Sequence, residues 1–257
     1  DGRGRKGAGE IELTWDSAKQ DRISIACPRA EVRKAKMEAT QRLLGYTITL
    51  SERAWQEPSR LPGWTRAHVA SHIARNADGL IRSIEALLSD RPTLMYDGDE
   101  ERDWAVERGS QRGGLDLQID LDTTAGRLNT AFNQLEELAP DTPVELRPQH
   151  RLRADLLPLA RLNEVVLHTA DLDCGFEIED LEPRVASWLL QWNSLVLPDT
   201  RLPDVNLRAE GQGLKAAGDE PASAVSGIKP VLLGWLTGRI APDRAEVLGL
   251  PESPPTL

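Results

Sequence analysis

Two pairs of residues in this sequence could do metal chemistry. Glu164 and His168 are four residues apart, as are His68 and His72. On a helix, positions i and i+4 lie one turn apart on the same face, so each pair presents its side chains together. A carboxylate oxygen and an imidazole nitrogen on adjacent turns can grip a divalent ion, and facing helices of a bundle are a recognised place for such ligands. Two histidines with one carboxylate leave a coordination position open, which belongs to catalytic rather than structural metals. With no thiolate in the set, zinc is the first expectation, and iron, nickel or manganese are the alternatives. Spacing alone does not choose between His68 and His72. The competing reading is a helix-surface pair at 164/168 and a hydrogen-bonding His68 near a helix start.

These residues must be carried on long helices, and the pattern supplies them. Apolar positions recur at helical spacing from Pro28 to about Gln56, with Val32, Ala35, Met37, Leu43 and Leu44 roughly on one face. Thr65 is an N-cap candidate for a second helix reaching about Ser89. A shorter helix is predicted over roughly 100–109, a long one over 115–139 and a fourth over 155–174. Residues 143–153 read as a strand pair or an irregular connection. The four long helices predict a four-helix bundle. After Gly175 the texture changes. Helices are predicted over 183–195 and 222–238, a strand over 204–209 and a last strand at Glu246-Val247-Leu248, forming a small α/β unit. The predicted organisation is a polar tail at 1–22, a bundle at 23–178 and a C-terminal domain at 179–257. Within the tail, Ile11 to Trp15 alternate like an edge strand.

Composition excludes several classes of function. The 257 residues carry a formal net charge of −10, which disfavours a phosphate backbone as partner. No window reaches the length of an apolar membrane span, and no apolar signal-peptide core stands at the N-terminus, so a soluble, cytoplasmic protein is expected. Cys27 and Cys174 fit no CxxC pattern and read as small buried apolar residues rather than as nucleophiles or a disulfide.

The segments around the chemistry-bearing residues resemble a known family. Leu61 to Ala77 (LPGWTRAHVASHIARNA) resembles the entry to the second helix of mycothiol-dependent maleylpyruvate isomerases, and Arg161 to Leu172 (RLNEVVLHTADL) resembles their fourth helix. Shorter matches are Met95-Tyr96 with Arg102 and Glu107 to Ser110, and Leu236 to Arg239. The resemblance implies an α+β, mainly α chain: a DinB-like four-helix bundle followed by a small α/β C-terminal domain. It implies His72, Glu164 and His168 as zinc ligands, leaving His68 a structural role. It implies Arg102 and Arg239 as the groups that hold an anionic substrate, a task suited to the bidentate guanidinium. Asp171, three residues beyond His168, could orient that ligand; a helix-end or surface carboxylate is the alternative reading. The implied cofactors are zinc and mycothiol, and the implied partners are a small thiol and a small anionic or electrophilic substrate. The activity implied is thiolate addition to a cis double bond, rotation and elimination. A mycothiol S-transferase is the main alternative, favoured by divergence in 141–155 and 196–222. A non-catalytic, metal-stabilised binding module is the third.

Overall fold

The computed structural model describes residues 27–148, 150–196, 205–209, 212–213 and 223–250. The tail at 1–22, its expected edge strand at 11–15 and the last residues, 251–257, lie outside the described residues. The chain is α+β and mainly α, and it divides into two compact units between Glu177 and Ile178.

The first unit is a four-helix bundle built from α1 (Arg29–Thr47), α3 (Arg66–Leu88), α5 (Gly114–Leu135) and α6 (Leu157–Asp171). The helices close a ring, α3 packing on α5 and α6, and α1 on α6 and α5. The helix α3 is central. It is buried on several sides, from Ala67 through Ile73 to Ile84, because α4 (Asp99–Ser110) covers it as well. Gly109 of α4 makes that approach close: a Cβ there would sit 2.1 Å from Ser71 Oγ. The helix α3 begins at Thr65, whose Oγ1 accepts the His68 N–H while its own N–H donates to His68 Nδ1. On α5 the buried positions Leu117, Leu121, Thr124, Leu128, Phe132 and Leu135 form the stripe that its 3.6-residue period dictates.

Three expectations about helices change. The first helix stops at Thr47 rather than near Gln56. Thr47 Oγ1 bonds back to Leu43 O, and Ser51 caps a separate short helix, α2 (Glu52–Trp55), by accepting from Ala54 N–H. The buried stripe of α1 is Val32, Lys36, Ala39, Leu43 and Thr47, whereas Met37 is exposed. Lys36 enters that stripe because its ammonium donates to Asn129 Oδ1 at 3.0 Å while its stem packs inward. The third long helix ends at Leu135, before the expected 139, in a series of turns through Leu138. The fourth begins with a 3₁₀ turn at Ala154–Leu156 before α6.

Between α5 and α6, β1 (Pro143–Arg147) pairs antiparallel with β2 (His150–Arg153). Val144 and Leu146 bury against the cluster of Leu80, Ile84, Leu128 and Phe132. The Met95 N–H donates to Leu146 O at 3.0 Å, which ties the segment before α4 to this hairpin.

The second unit holds α7 (Pro183–Val196), a three-stranded sheet of β3 (Val205–Ala209), β4 (Gln212–Gly213) and β5 (Ser223–Gly227), then α8 (Lys229–Leu236) and α9 (Pro242–Val247). In the order β4-β3-β5, β3 is antiparallel to β4 and parallel to β5. Two expectations are corrected here. Residues 223–227, read as helix, pair as β5, and the helix starts only where Pro230 fits its first turn. Glu246-Val247-Leu248, read as a strand, closes α9, which Pro242 opens and Gly249 ends at φ +65°.

Candidate metal centre

The packing of α3 on α6 brings His72, Glu164 and His168 together. His72 Nε2 lies 3.2 Å from Glu164 Oε2, and His168 Nε2 lies 3.6 Å from the same oxygen. The two imidazoles meet edge to face with centroids 4.5 Å apart. One ligand atom from each of the three residues falls within 4.8 Å of the others, and they are the one such cluster among the described residues. Each histidine side chain is 12% exposed and Glu164 is 30% exposed, so the triad is reached from the carboxylate side.

The surroundings set the charge of each group. Burial alone would raise the Glu164 carboxyl, but hydrogen bonds and charge from His168 and His72 hold it well below the usual range. Burial works against a charged His168, yet hydrogen bonds to Asp171 and Glu164 push it up to about 9. Burial, then the neighbouring His168, lowers His72; Glu164 opposes this and Arg102 adds to it. At neutral pH and without metal, the site therefore holds an imidazolium at 168, a neutral imidazole at 72 and a carboxylate between them.

The donor set fits a divalent ion. Two imidazole nitrogens and a carboxylate oxygen converge from two packed helices, with no thiolate among them. Asp171 is fully buried, and its Oδ2 lies 2.8 Å from His168 Nδ1. An Nδ1–H donated to that carboxylate leaves Nε2 facing the centre, the usual support for a ligating histidine. Asp171 is thus not a surface carboxylate. His72 lacks the equivalent support, since its Nδ1 is buried without a partner; instead the Trp64 ring lies against it, centroids 5.6 Å apart.

His68 stands outside the triad. Its Nδ1 belongs to the α3 cap, and its Nε2 faces Glu107 at 3.0 Å and Ser110 Oγ at 3.2 Å, both on α4. Arg102, in the first turn of α4, is within electrostatic reach of His72 and Tyr96, and it donates to Asp103 at 2.6 Å. Arg239 belongs to the second unit. It follows Gly238, whose φ of +70° ends α8, and its side chain is buried and donates to Thr237 O at 2.8 Å. Both cysteines are free and half-buried, and burial raises both thiols, Cys27 to about 11. Neither is poised as a nucleophile.

Three residues that sequence reasoning gave no role also border the triad. Tyr96 rests on Gly79 of α3, and burial pushes its phenol up to about 12, with Glu164 adding to the effect and Arg147, Arg102 and Arg161 opposing it. Asn76 Nδ2 lies 3.3 Å from Glu164 Oε2, and Arg161 donates to Asn76 Oδ1 at 2.7 Å. Asn76 sits four residues after His72, so helical spacing was a signal for it; Arg161 is three residues before Glu164.

Comparison with known proteins gives a consistent picture. Residues 37–173 match the mycothiol maleylpyruvate isomerase N-terminal domain. The fold is similar to the crystal structure of the mycothiol-dependent maleylpyruvate isomerase, with a TM-score of 0.78 and 21% identity, over 90% of this chain and 98% of that one. A histidine-to-alanine mutant of that isomerase gives a TM-score of 0.77 at the same identity and coverage. No curated protein matches the chain.

Proposed function

The chain belongs to the family defined by the mycothiol maleylpyruvate isomerase N-terminal domain, and from that premise we propose that it is a zinc-dependent, mycothiol-using isomerase. The observation that carries the reading is the convergence of His72 Nε2, Glu164 and His168 Nε2 within 4.8 Å. These three residues would hold the ion. A bound divalent ion supplies positive charge that lowers the pKa of a nearby thiol, making thiolate available near neutral pH.

The chain's own residues then have defined tasks. Asp171 keeps the proton on His168 Nδ1, so Nε2 remains the ligating atom. Glu164, held ionised, offsets part of the metal charge. Arg102 grips a substrate carboxylate, the task the family resemblance implies for it. The thiolate sulfur bonds to one carbon of the cis double bond, and the π pair moves into the conjugated carbonyl as an enolate. The former double bond is now single and rotates. The pair returns, the carbon–sulfur bond breaks, and the thiolate leaves the trans isomer. The Arg102 guanidinium beside the carboxylate stabilises the enolate charge. We assign the enzyme to the cytoplasm, where small thiols are kept reduced. Among the described residues no helix is long and apolar enough to cross a membrane.

The test is elemental analysis of the purified protein beside His72→Ala, Glu164→Ala and His168→Ala, followed by turnover of maleylpyruvate with mycothiol. About one zinc per chain, lost in each variant, together with thiol-dependent isomerisation, supports the proposal. A metal-free native protein sinks it. Zinc-dependent consumption of mycothiol with a stable conjugate as product replaces the isomerase with an S-transferase.

A further inference from the structure

The three metal-competent side chains leave one buried cation unexplained. Arg161, on α6, is 2% exposed, and its Nη1 donates to Ile73 O at 2.8 Å and to Asn76 Oδ1 at 2.7 Å. Burying a guanidinium whose hydrogen-bond acceptors are neutral is costly, an effect that the nearby charges of Glu164 and Asp78 offset in part. The arrangement makes chemical sense when followed one residue further. A guanidinium has five donors and no acceptor, so the Asn76 oxygen must face Arg161. The Asn76 amino group is thereby turned toward Glu164, 3.3 Å from Oε2. An amino group can only donate, so that oxygen must accept. It is also the oxygen that His72 and His168 approach.

We propose that Arg161 and Asn76 are positioning residues for Glu164: the buried guanidinium locks the amide, and the amide holds the carboxylate in the rotamer that faces both histidines, with Oε2 as an acceptor. The pair performs for the carboxylate what Asp171 performs for His168. Groups of this kind, behind a ligand, set how well a site is organised before the ion arrives. The inference rests on the metal-site reading above. A purely structural role, bridging α6 to the Ile73 carbonyl of α3, is the competing account.

Cobalt(II) titration of the purified full-length chain separates the two, because its visible absorption reports both affinity and ligand geometry. Asn76→Ala is expected to weaken cobalt binding about ten- to a hundredfold and to alter the absorption band. Arg161→Lys keeps the positive charge but lacks the length and planar geometry of the Nη1 donor, and is expected to weaken binding by a smaller factor with the same change in band shape. Circular dichroism melts of the metal-free proteins verify that each variant folds cooperatively. If Asn76→Ala fails to fold, Asn76→Ser with Arg161→Lys carries the same test. Folded variants that bind cobalt with native affinity and an unaltered spectrum overturn the positioning role while the metal site stands. A wild-type protein that binds no cobalt removes the metal reading and this inference with it.

Discussion

On the proposed reading, zinc competes with a proton at His168, and the structure sets the scale of that competition. His168 is pushed up to about 9: burial opposes the charge, but Asp171 at Nδ1 and Glu164 beside Nε2 outweigh it. Nε2 cannot ligate until it is deprotonated. At pH 7, about two pH units below that value, about one molecule in a hundred is ready, a penalty of about 3 kcal/mol. Glu164 is held well below the carboxylate range and His72 is lowered, so neither adds a proton to the balance near pH 7. The affinity for zinc should therefore tighten about tenfold per unit from about pH 7 and level off above about pH 9, with about one proton released per ion at pH 7. Chelator competition across that range measures the curve, and calorimetry in two buffers of different ionisation heat counts the proton. Asp171→Asn removes the carboxylate charge that raises His168 and leaves only a neutral acceptor at Nδ1, so the break in the curve moves down toward 6.5. It also loosens the ring, which weakens the limiting affinity about ten- to a hundredfold. A wild-type curve that is flat between about pH 7 and pH 9, or a break that Asp171→Asn leaves in place, refutes the reasoning.

Other consequences follow from the same structure. In the metal-free protein His168 has a raised folded pKa, so its contribution is fully present below about 6.5 and lost as pH rises through about 9. The urea midpoint should fall over that interval by the equivalent of up to ~3 kcal/mol, a drop that zinc-loaded protein lacks. Gly109→Ala places a Cβ 2.1 Å from Ser71 Oγ, where α4 meets α3. It should destabilise the bundle by about 1–3 kcal/mol, read as a lower Tm; an unchanged Tm means the two helices can part freely. Arg102→Gln should leave zinc content intact and raise KM for the anionic substrate about ten- to a hundredfold, the loss of a charge-assisted pair. An unaltered KM removes Arg102 from the substrate site.

Helix ends show where local reading fails. The α3 start was legible because Thr65 caps it through bonds spanning three residues. The end of α1 was not, because Thr47 and Ser51 offer the backbone local hydrogen bonds that compete with a continuous helix. Residues 223–227 were misread because a short, small-residue segment takes its state from its partner, and β3 lies 18 residues earlier, outside any local window. Glu246 to Leu248 were misread because three residues carry no period; the signals that frame α9 are the flanking Pro242 and Gly249.

The sequence by itself determined the elements: four long helices, the Glu164–His168 pair on one turn, and a resemblance that named three ligands. The helices and the pair are local properties, set by side-chain period, capping and spacing; the ligand set was what the resemblance implied. Spacing left open which histidine of α3 joins that pair; the resemblance implied His72, and the packing brings His72 beside Glu164. His68 and His72 share a face one turn apart, and nothing in their spacing separates them. Packing separates them, because α4 brings Glu107 and Ser110 to His68, while α6 brings Glu164 to His72. The same packing buries Asp171 against His168 and turns the Asn76 amide toward Glu164 through Arg161. The His72–Glu164 and Asn76–Arg161 contacts join residues 92 and 85 positions apart in the chain, which no local pattern encodes.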